Sequence, residues 1–182
     1  LTLSDLLANA QGLQLLLHPP QALPSQGGAN EWLPQARRLT RRLGKQMHLV
    51  LAPAYDGQDT LRFAEYTRIG SELGLPLIAS AAPMMHHGRR RRLADVLTAI
   101  RTSQRITGLG RSALANSEQR LRSEPEIHRI FKAYPKAVEN VAHLTERLTF
   151  SLDELRYEYP SEISNGETPA GRLRRLALSG LK

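Results

Sequence analysis

The chain has 182 residues, 41% hydrophobic and 23% charged, a balance that can bury a core and that excludes wholesale disorder. It has no cysteine, which removes disulfides, thiolate metal sites and a cysteine nucleophile in one step, and no apolar run nears the roughly 20 residues that cross a bilayer. The net charge of +8 is concentrated: residues 86–122 hold nine basic side chains, all arginine, against Asp95 and Glu118, so that stretch alone supplies +7. Arginine favours forked contacts to phosphate over a generic solubilising surface. Without cysteines, a membrane span or a signal peptide, a cytoplasmic location is expected. The chain opens on leucine and moves straight into a helical pattern, which reads as a piece of something longer.

In chain order, Thr2 and Asp5 have capping-box spacing, and Leu3, Leu6, Leu7 and Ala10 predict a short helix ended by Gly12. A strand follows over 13–17, stopped by His18, Pro19 and Pro20, because proline cannot donate to a ladder. Residues 21–30 read as a loop, 31–43 as a basic helix closed by Gly44, and 47–51 as a second strand ending at Ala52 and Pro53. Asp59 is placed to cap a helix over 60–73, with Gly74 as its left-handed terminus and Pro76 just beyond. The third strand, 75–80, empties into small residues, Met84, Met85, His86, His87 and four consecutive arginines. Leu93, Val96, Leu97 and Ile100 then set out the apolar stripe of an amphipathic helix. Strand, loop and helix in that order put any ligand at the carboxyl ends of the strands.

Beyond Arg101 the pattern changes. Residues 102–116 read as a long loop or linker, and Ser123 with Glu126 forms a capping box ahead of a helix bearing Ile127, Ile130, Phe131 and Tyr134. Pro135 opens another helix with Val138, Val141, Ala142, Thr145 and Leu148 inward, and the short link predicts an antiparallel pair. Residues 151–160 read as a turn and an extended aromatic segment, and Thr168 with Pro169 starts a last helix carrying Leu173, Leu176, Ala177 and Leu181. Three βα units predict an α/β fold with a parallel sheet, too few for a closed barrel, with further strands expected upstream of Leu1 and sheet edges left open.

The chemistry-bearing residues are few. His86 and His87 are adjacent, and neighbours on an extended segment point to opposite sides, so they do not readily share one ion. No carboxylate lies in their loop, whereas zinc or a di-metal centre needs three or more converging ligands. His18, at a strand terminus, is the better single metal candidate, although a lone histidine there is more often structural. Asp56 and Asp59 read as turn and cap residues. Arg89, Arg90, Arg91, Arg92, Arg101 and Arg105 are candidates for phosphate contact with DNA; the stretch lacks aromatic residues to stack bases, which favours backbone contact over sequence readout.

Three stretches together resemble a known family. GLPLIASAAPMMHHGRRRRLADVLTAIR is similar to the strand, loop and helix that close the PHP domain (polymerase and histidinol phosphatase) of bacterial C-family DNA polymerases, where the pattern runs L-x-A-T-N-D and then a helix of the D-V-L-x-x-I-R kind. LRSEPEIHRIFKAYPKAVENVAHLTERLTFSLDELRYEYP resembles the helical segment after it, and S-L-D-E-L-R-Y-E-Y-P is like the error-prone subfamily. HLVLAPAYDGQDTLRFAEYTRIGSELGLPL and LTLSDLLANAQGLQLLLHPP fit the two preceding βα units, so the resemblance covers nearly the whole chain and is most specific over 121–160. It implies a partial PHP-type (β/α) barrel over 1–107 and a helical segment leading toward the polymerase palm over 108–182.

The departures carry meaning. Ala81 and Ala82 stand where the family pattern has N-D, Met84 stands where metal-binding PHP domains can carry histidine, and His18 would be almost alone as a ligand. The resemblance therefore implies a degenerate, non-catalytic PHP scaffold with no cofactor of its own. For the intact parent it implies a lesion-tolerant, DNA-directed polymerase of DNA repair and induced mutagenesis. That parent would use Mg2+ on carboxylates beyond Lys182 and work with template-primer DNA, a sliding clamp and accessory mutagenesis proteins, away from any membrane. Two alternatives stay open: a metal-dependent phosphoesterase of the PHP superfamily using His18, His86 or His87, and an unrelated α/β module that binds nucleic acid through its arginines.

Overall fold

The computed structural model describes residues 2–21, 32–156 and 166–180. Three parallel strands, β1 (Leu15–Leu17), β2 (Met47–Leu51) and β3 (Leu77–Ala79), lie side by side in chain order. Leu15 registers with Met47 and Leu49 with Leu77. The flanking strands are shorter than the predicted 13–17 and 75–80. The apolar runs extend past the ladder because a residue can be buried by packing without pairing its backbone.

Central β2 is buried along its whole length, as a strand with neighbours on both sides should be. Side chains alternate across the sheet, so Met47, Leu49 and Leu51 face one way, into the core with Phe63, Tyr66, Ile69, Phe131 and Ala137. His48 and Val50 face the other way and are also buried.

Four helices precede or follow the strands: α1 (Leu3–Ala8), α2 (Leu33–Leu43), α3 (Asp59–Leu73) and α4 (Arg91–Arg101). The Thr2–Asp5 capping box forms as predicted, but α1 stops at Ala8, and Gly12 takes its left-handed φ of 78° three residues past the Asn9 cap. Gly74 ends α3 with φ 64°. Gly70 serves packing instead. A Cβ there would lie 2.8 Å from Leu77 Cδ2, so a larger residue would have to turn that leucine side chain aside.

One expectation about faces is corrected, and one apolar stripe lies open. The α4 stripe does not turn inward, since Leu93, Leu97 and Ile100 are 51%, 59% and 70% exposed and Ala99 is the residue buried. Helix α5 (Glu124–Ile130) and helix α6 (Pro135–Glu146) follow, the first opened by the predicted Ser123–Glu126 box. On α6 the buried residues are Ala137 and Leu144, with Val138 half-buried, whereas Val141, Ala142, Thr145 and Leu148 are exposed. The helix is turned so that its small residue Ala137 meets β3 and Asn140 Nδ2 donates to the Leu77 carbonyl at 2.9 Å. That bond satisfies a carbonyl on the edge strand and partly closes an edge expected to be open.

Packing does not break after residue 107. Phe131, between α5 and α6, is 1% exposed and stacks on Phe63 with centroids 5.5 Å apart, and Tyr134 meets Phe63 edge-on at 5.6 Å. The first compact unit accordingly runs to Leu148 and the second covers 149–182. In the second unit a 3-10 turn (Leu152–Glu154) precedes helix α7 (Pro169–Ser179), whose Thr168 hydroxyl caps Gly171 N–H at 3.2 Å. The aromatic segment predicted toward Pro160, and Leu181 of the last predicted helix, lie outside the described residues. No helix among the described residues is long and apolar enough to cross a membrane.

Candidate functional site

At the carboxyl ends of the strands a narrow pocket, with room for about one water molecule, opens between His18, Pro20, Pro53, Arg62, Tyr66, Ala82 and Gln119. This is where a parallel α/β sheet ordinarily holds its ligand. What fills its wall is a buried cation. The Arg62 side chain is 3% exposed, yet it carries its charge into the protein because carboxylates come with it.

Its Nη2 donates to Asp56 Oδ2 at 2.5 Å and its Nη1 to Asp56 Oδ1 at 3.2 Å; Nη1 also meets Asp59 Oδ1, and Nε donates to the Gln21 carbonyl at 2.9 Å. The Asp59 carboxylate further accepts the Ala54 and Tyr55 N–H groups at 2.8 and 2.9 Å. Asp59 is therefore the first residue of α3, with Gln58 as the cap, and not the simple N-cap that its spacing suggested. Hydrogen bonds from Arg62 hold the Asp56 carboxyl below its usual range. Burial pushes the Tyr66 phenol up to about 12, and its hydroxyl donates to the Pro20 carbonyl.

Two loops at this end carry left-handed non-glycine residues: Tyr55, with φ 56°, after β2, and Ala82, with φ 42°, after β3. The first is pinned from several directions. Asn116 Nδ2 donates to the Tyr55 carbonyl at 3.2 Å, and the Arg122 guanidinium lies 5.1 Å over the Tyr55 ring. Arg122 is itself locked to Glu118 at 2.7 Å and Glu126 at 3.1 Å. Arg120 first, then the Ser123 N–H and Arg122, drive the Glu126 carboxyl far below its ordinary range.

The histidines named from sequence are not brought together. His18 lines the pocket and pairs its Nδ1 with the Pro19 carbonyl at 3.2 Å. His87 Nδ1 accepts the Arg89 N–H at 3.1 Å, capping a 3-10 turn (Gly88–Arg90) that leads into α4, while His86 is exposed. Among the described residues no three histidine or acidic side chains are arranged to hold a metal ion. The acidic pair at the strand ends does not fit one either, because its oxygens already face Arg62 and backbone N–H groups.

The arginine run divides. Arg89, Arg90 and Arg92 are exposed at the head of α4, while Arg91 turns back to the Leu114 carbonyl at 2.6 Å. Arg101 closes α4 and Arg105 follows it, both exposed, about 15 Å along the helix from Arg91 at 1.5 Å per residue. Arg120 and Arg122 are tied into the Glu126 network. Among the described side chains of this stretch the exposed arginines thus form two groups at the two ends of one helix.

No protein-family model matches the chain. Curated relatives do match it. Error-prone DNA polymerase of Ruegeria pomeroyi is 39% identical over 181 residues, all of this chain and 16% of that protein. The error-prone DNA polymerase of Sinorhizobium medicae is 38% identical over 180 residues, and error-prone DNA polymerase 1 of Rhizobium meliloti is 37% identical over 180, each alignment covering 99% of this chain. Across its length the chain is similar to one segment of these error-prone DNA polymerases. It spans about 16% of the length of these relatives. Sequence reasoning missed Arg62 as the centre of the pocket at the strand ends. The signal was the spacing of Asp59, Arg62, Phe63, Tyr66, Ile69 and Gly70, which places the arginine on the same helical face as the core residues.

Proposed function

We propose that this chain is a non-catalytic PHP scaffold, 1–107, with a helical segment, 108–182, leading toward the palm of an error-prone, lesion-tolerant DNA-directed DNA polymerase. The parent would be a nucleotidyltransferase of DNA repair and induced mutagenesis, working in the cytoplasm on template-primer DNA with a sliding clamp and accessory mutagenesis proteins. Its Mg2+ would be held by carboxylates outside this chain, because phosphoryl transfer needs a pair of acidic residues free to bind metal and Asp56 and Asp59 are committed elsewhere.

The observation that carries the scaffold reading is the Arg62 guanidinium at the strand ends. A buried cation held by the nearby carboxylates does for the loops what a metal does in a catalytic site: it neutralises the acidic oxygens and fixes the loop geometry. It supplies no open coordination position and activates no water. Ala82 supports the same reading. It holds the left-handed backbone that asparagine and aspartate adopt most readily, at the position where the resembled pattern has aspartate.

The second reading, a PHP-type phosphoesterase, draws on His18 lining the pocket. One experiment separates the two: metal content after purification without chelator, and hydrolysis of p-nitrophenyl phosphate with added Mn2+ or Zn2+. The scaffold reading expects neither bound metal nor metal-dependent turnover. Stoichiometric metal with turnover that is lost in His18→Ala would establish the phosphoesterase instead.

A further inference from the structure

A groove lies between α1 and α2, on elements that take no part in the pocket at the strand ends. Its floor is Leu3, 46% exposed, with half-buried Leu7 and Leu39. Its rim is Arg38, Arg41 and Arg42, all exposed and none in an ion pair among the described residues. Helix α2 contains no acidic residue, and the nearby carboxylates are occupied. Asp5 on α1 is turned onto the Thr2 N–H at 2.7 Å and the Thr2 hydroxyl at 2.8 Å, and Glu72 on α3 lies 3.7 Å from Arg37. The α2 dipole rewards cations in its last turn and so accounts for Arg41 and Arg42. It does not account for Arg38, or for leucines left open beneath three guanidinium groups.

We propose that this groove docks a short acidic segment of a partner protein bearing large aliphatic side chains. The leucine floor takes the aliphatic group, and the arginines take the carboxylates through forked hydrogen bonds. Nucleic acid suits it less well: no aromatic ring lines the groove to stack a base, and phosphates alone leave the leucines in water. The proposal does not depend on the polymerase assignment or on the arginines at the head of α4.

The test is fluorescence anisotropy of the 182-residue chain with a labelled peptide of alternating aspartate and leucine, a second peptide with serine for every leucine, and oligothymidylate as competitor. The aspartate–leucine peptide is expected to bind. Affinity is expected to fall about tenfold or more for the serine peptide, for the double variant Arg38→Glu with Arg42→Glu, and for Leu3→Ser. Replacing Arg89, Arg90 and Arg92 with alanine should leave it unchanged. Both groove variants alter exposed side chains, and circular dichroism reports whether each is folded. Equal binding of both peptides would reduce the groove to a charged patch and overturn the proposal. Failure of the aspartate–leucine peptide to bind, or oligothymidylate displacing it and itself weakening in the arginine variant, would overturn it as well.

Discussion

Ala82 pays for its backbone. A left-handed φ of 42° costs an L-residue with a Cβ roughly 1 kcal/mol or more, and its compensation is one hydrogen bond, Ala82 N–H to Ser80 Oγ at 3.0 Å. Asparagine tolerates the same region, so Ala82→Asn is expected to raise the unfolding free energy by about 1 kcal/mol and Ala82→Val to lower it by at least as much. Urea titration of both variants checks this; destabilisation by asparagine would mean that the pocket, and not the backbone, governs the position. At this scale the sequence revealed less than the fold required. Alanine at 81 and 82 was legible as the loss of polar groups, but a left-handed angle leaves no trace in a residue type that does not prefer it. Asp56 and Asp59 were likewise legible as turn residues. Their common partner was not, because arginine is ordinarily exposed and nothing local announces a buried one.

Among the elements, α4 breaks the usual rule for charge placement. Helix dipoles favour carboxylates at the N-terminus, yet α4 begins after Arg89 and Arg90 with no acidic residue in its first turn. Positive charge kept at the unfavourable end is the kind of local conflict that a binding role explains. Arg90→Asp is therefore expected to stabilise the chain by about 0.5–1 kcal/mol while weakening DNA binding and lowering its salt dependence by about one phosphate contact. Thermal melting and a salt titration of DNA affinity test the two halves together; unchanged affinity would mean that this run makes no contact with DNA. The helices themselves were legible because caps and prolines mark their ends, as Ser123 and Thr168 do. Their orientations were less so. Periodicity identifies the apolar stripe of α4 but not what covers it, and on α6 the closest approach to β3 selects Ala137 over the larger Val141.

Acid stability is a property of the whole molecule, and His48 should govern its first loss. The ring is 5% exposed on central β2, and its Nδ1 has no partner among the described residues. Burial first, then the charge of Arg147, lowers its pKa below the ordinary 6.5. The unfolded chain therefore takes up this proton before the native one does. The contribution is intact above about pH 6.5 and declines as the pH falls below it. A second loss should follow below about 4.5, where unfolded glutamate protonates while Glu126, held by Arg120, Ser123 and Arg122, does not. His48→Leu is expected to abolish the first loss and leave the second, and it should gain about 1 kcal/mol from the removed unpaired nitrogen. Denaturant titrations across pH report both steps, and a first step that survives in His48→Leu would assign it to another group. The parallel order of the strands was legible from alternating strand and helix patterns, whereas the inclusion of Phe131 and Tyr134 in the same core was not, because it depends on contacts far apart in sequence.

Met85 pairs with Arg120 in a parallel bridge, backed by Met84 N–H to the Gln119 carbonyl at 2.9 Å and Leu121 N–H to the Met85 carbonyl at 3.1 Å. The chain thus leaves and re-enters the sheet region at one stem, and everything between, α4 and its arginines included, is an excursion clamped at its base. The entropy of closing such an excursion grows only with the logarithm of its length. Insertions, deletions and exchanges of charge on its exposed face, away from Asn116, Glu118 and the buried Ala99 and Leu109, therefore cost the core little. The arginine-bearing surface is in this sense a separate cassette, open to exchange at little cost to the strands and to Arg62 beneath it.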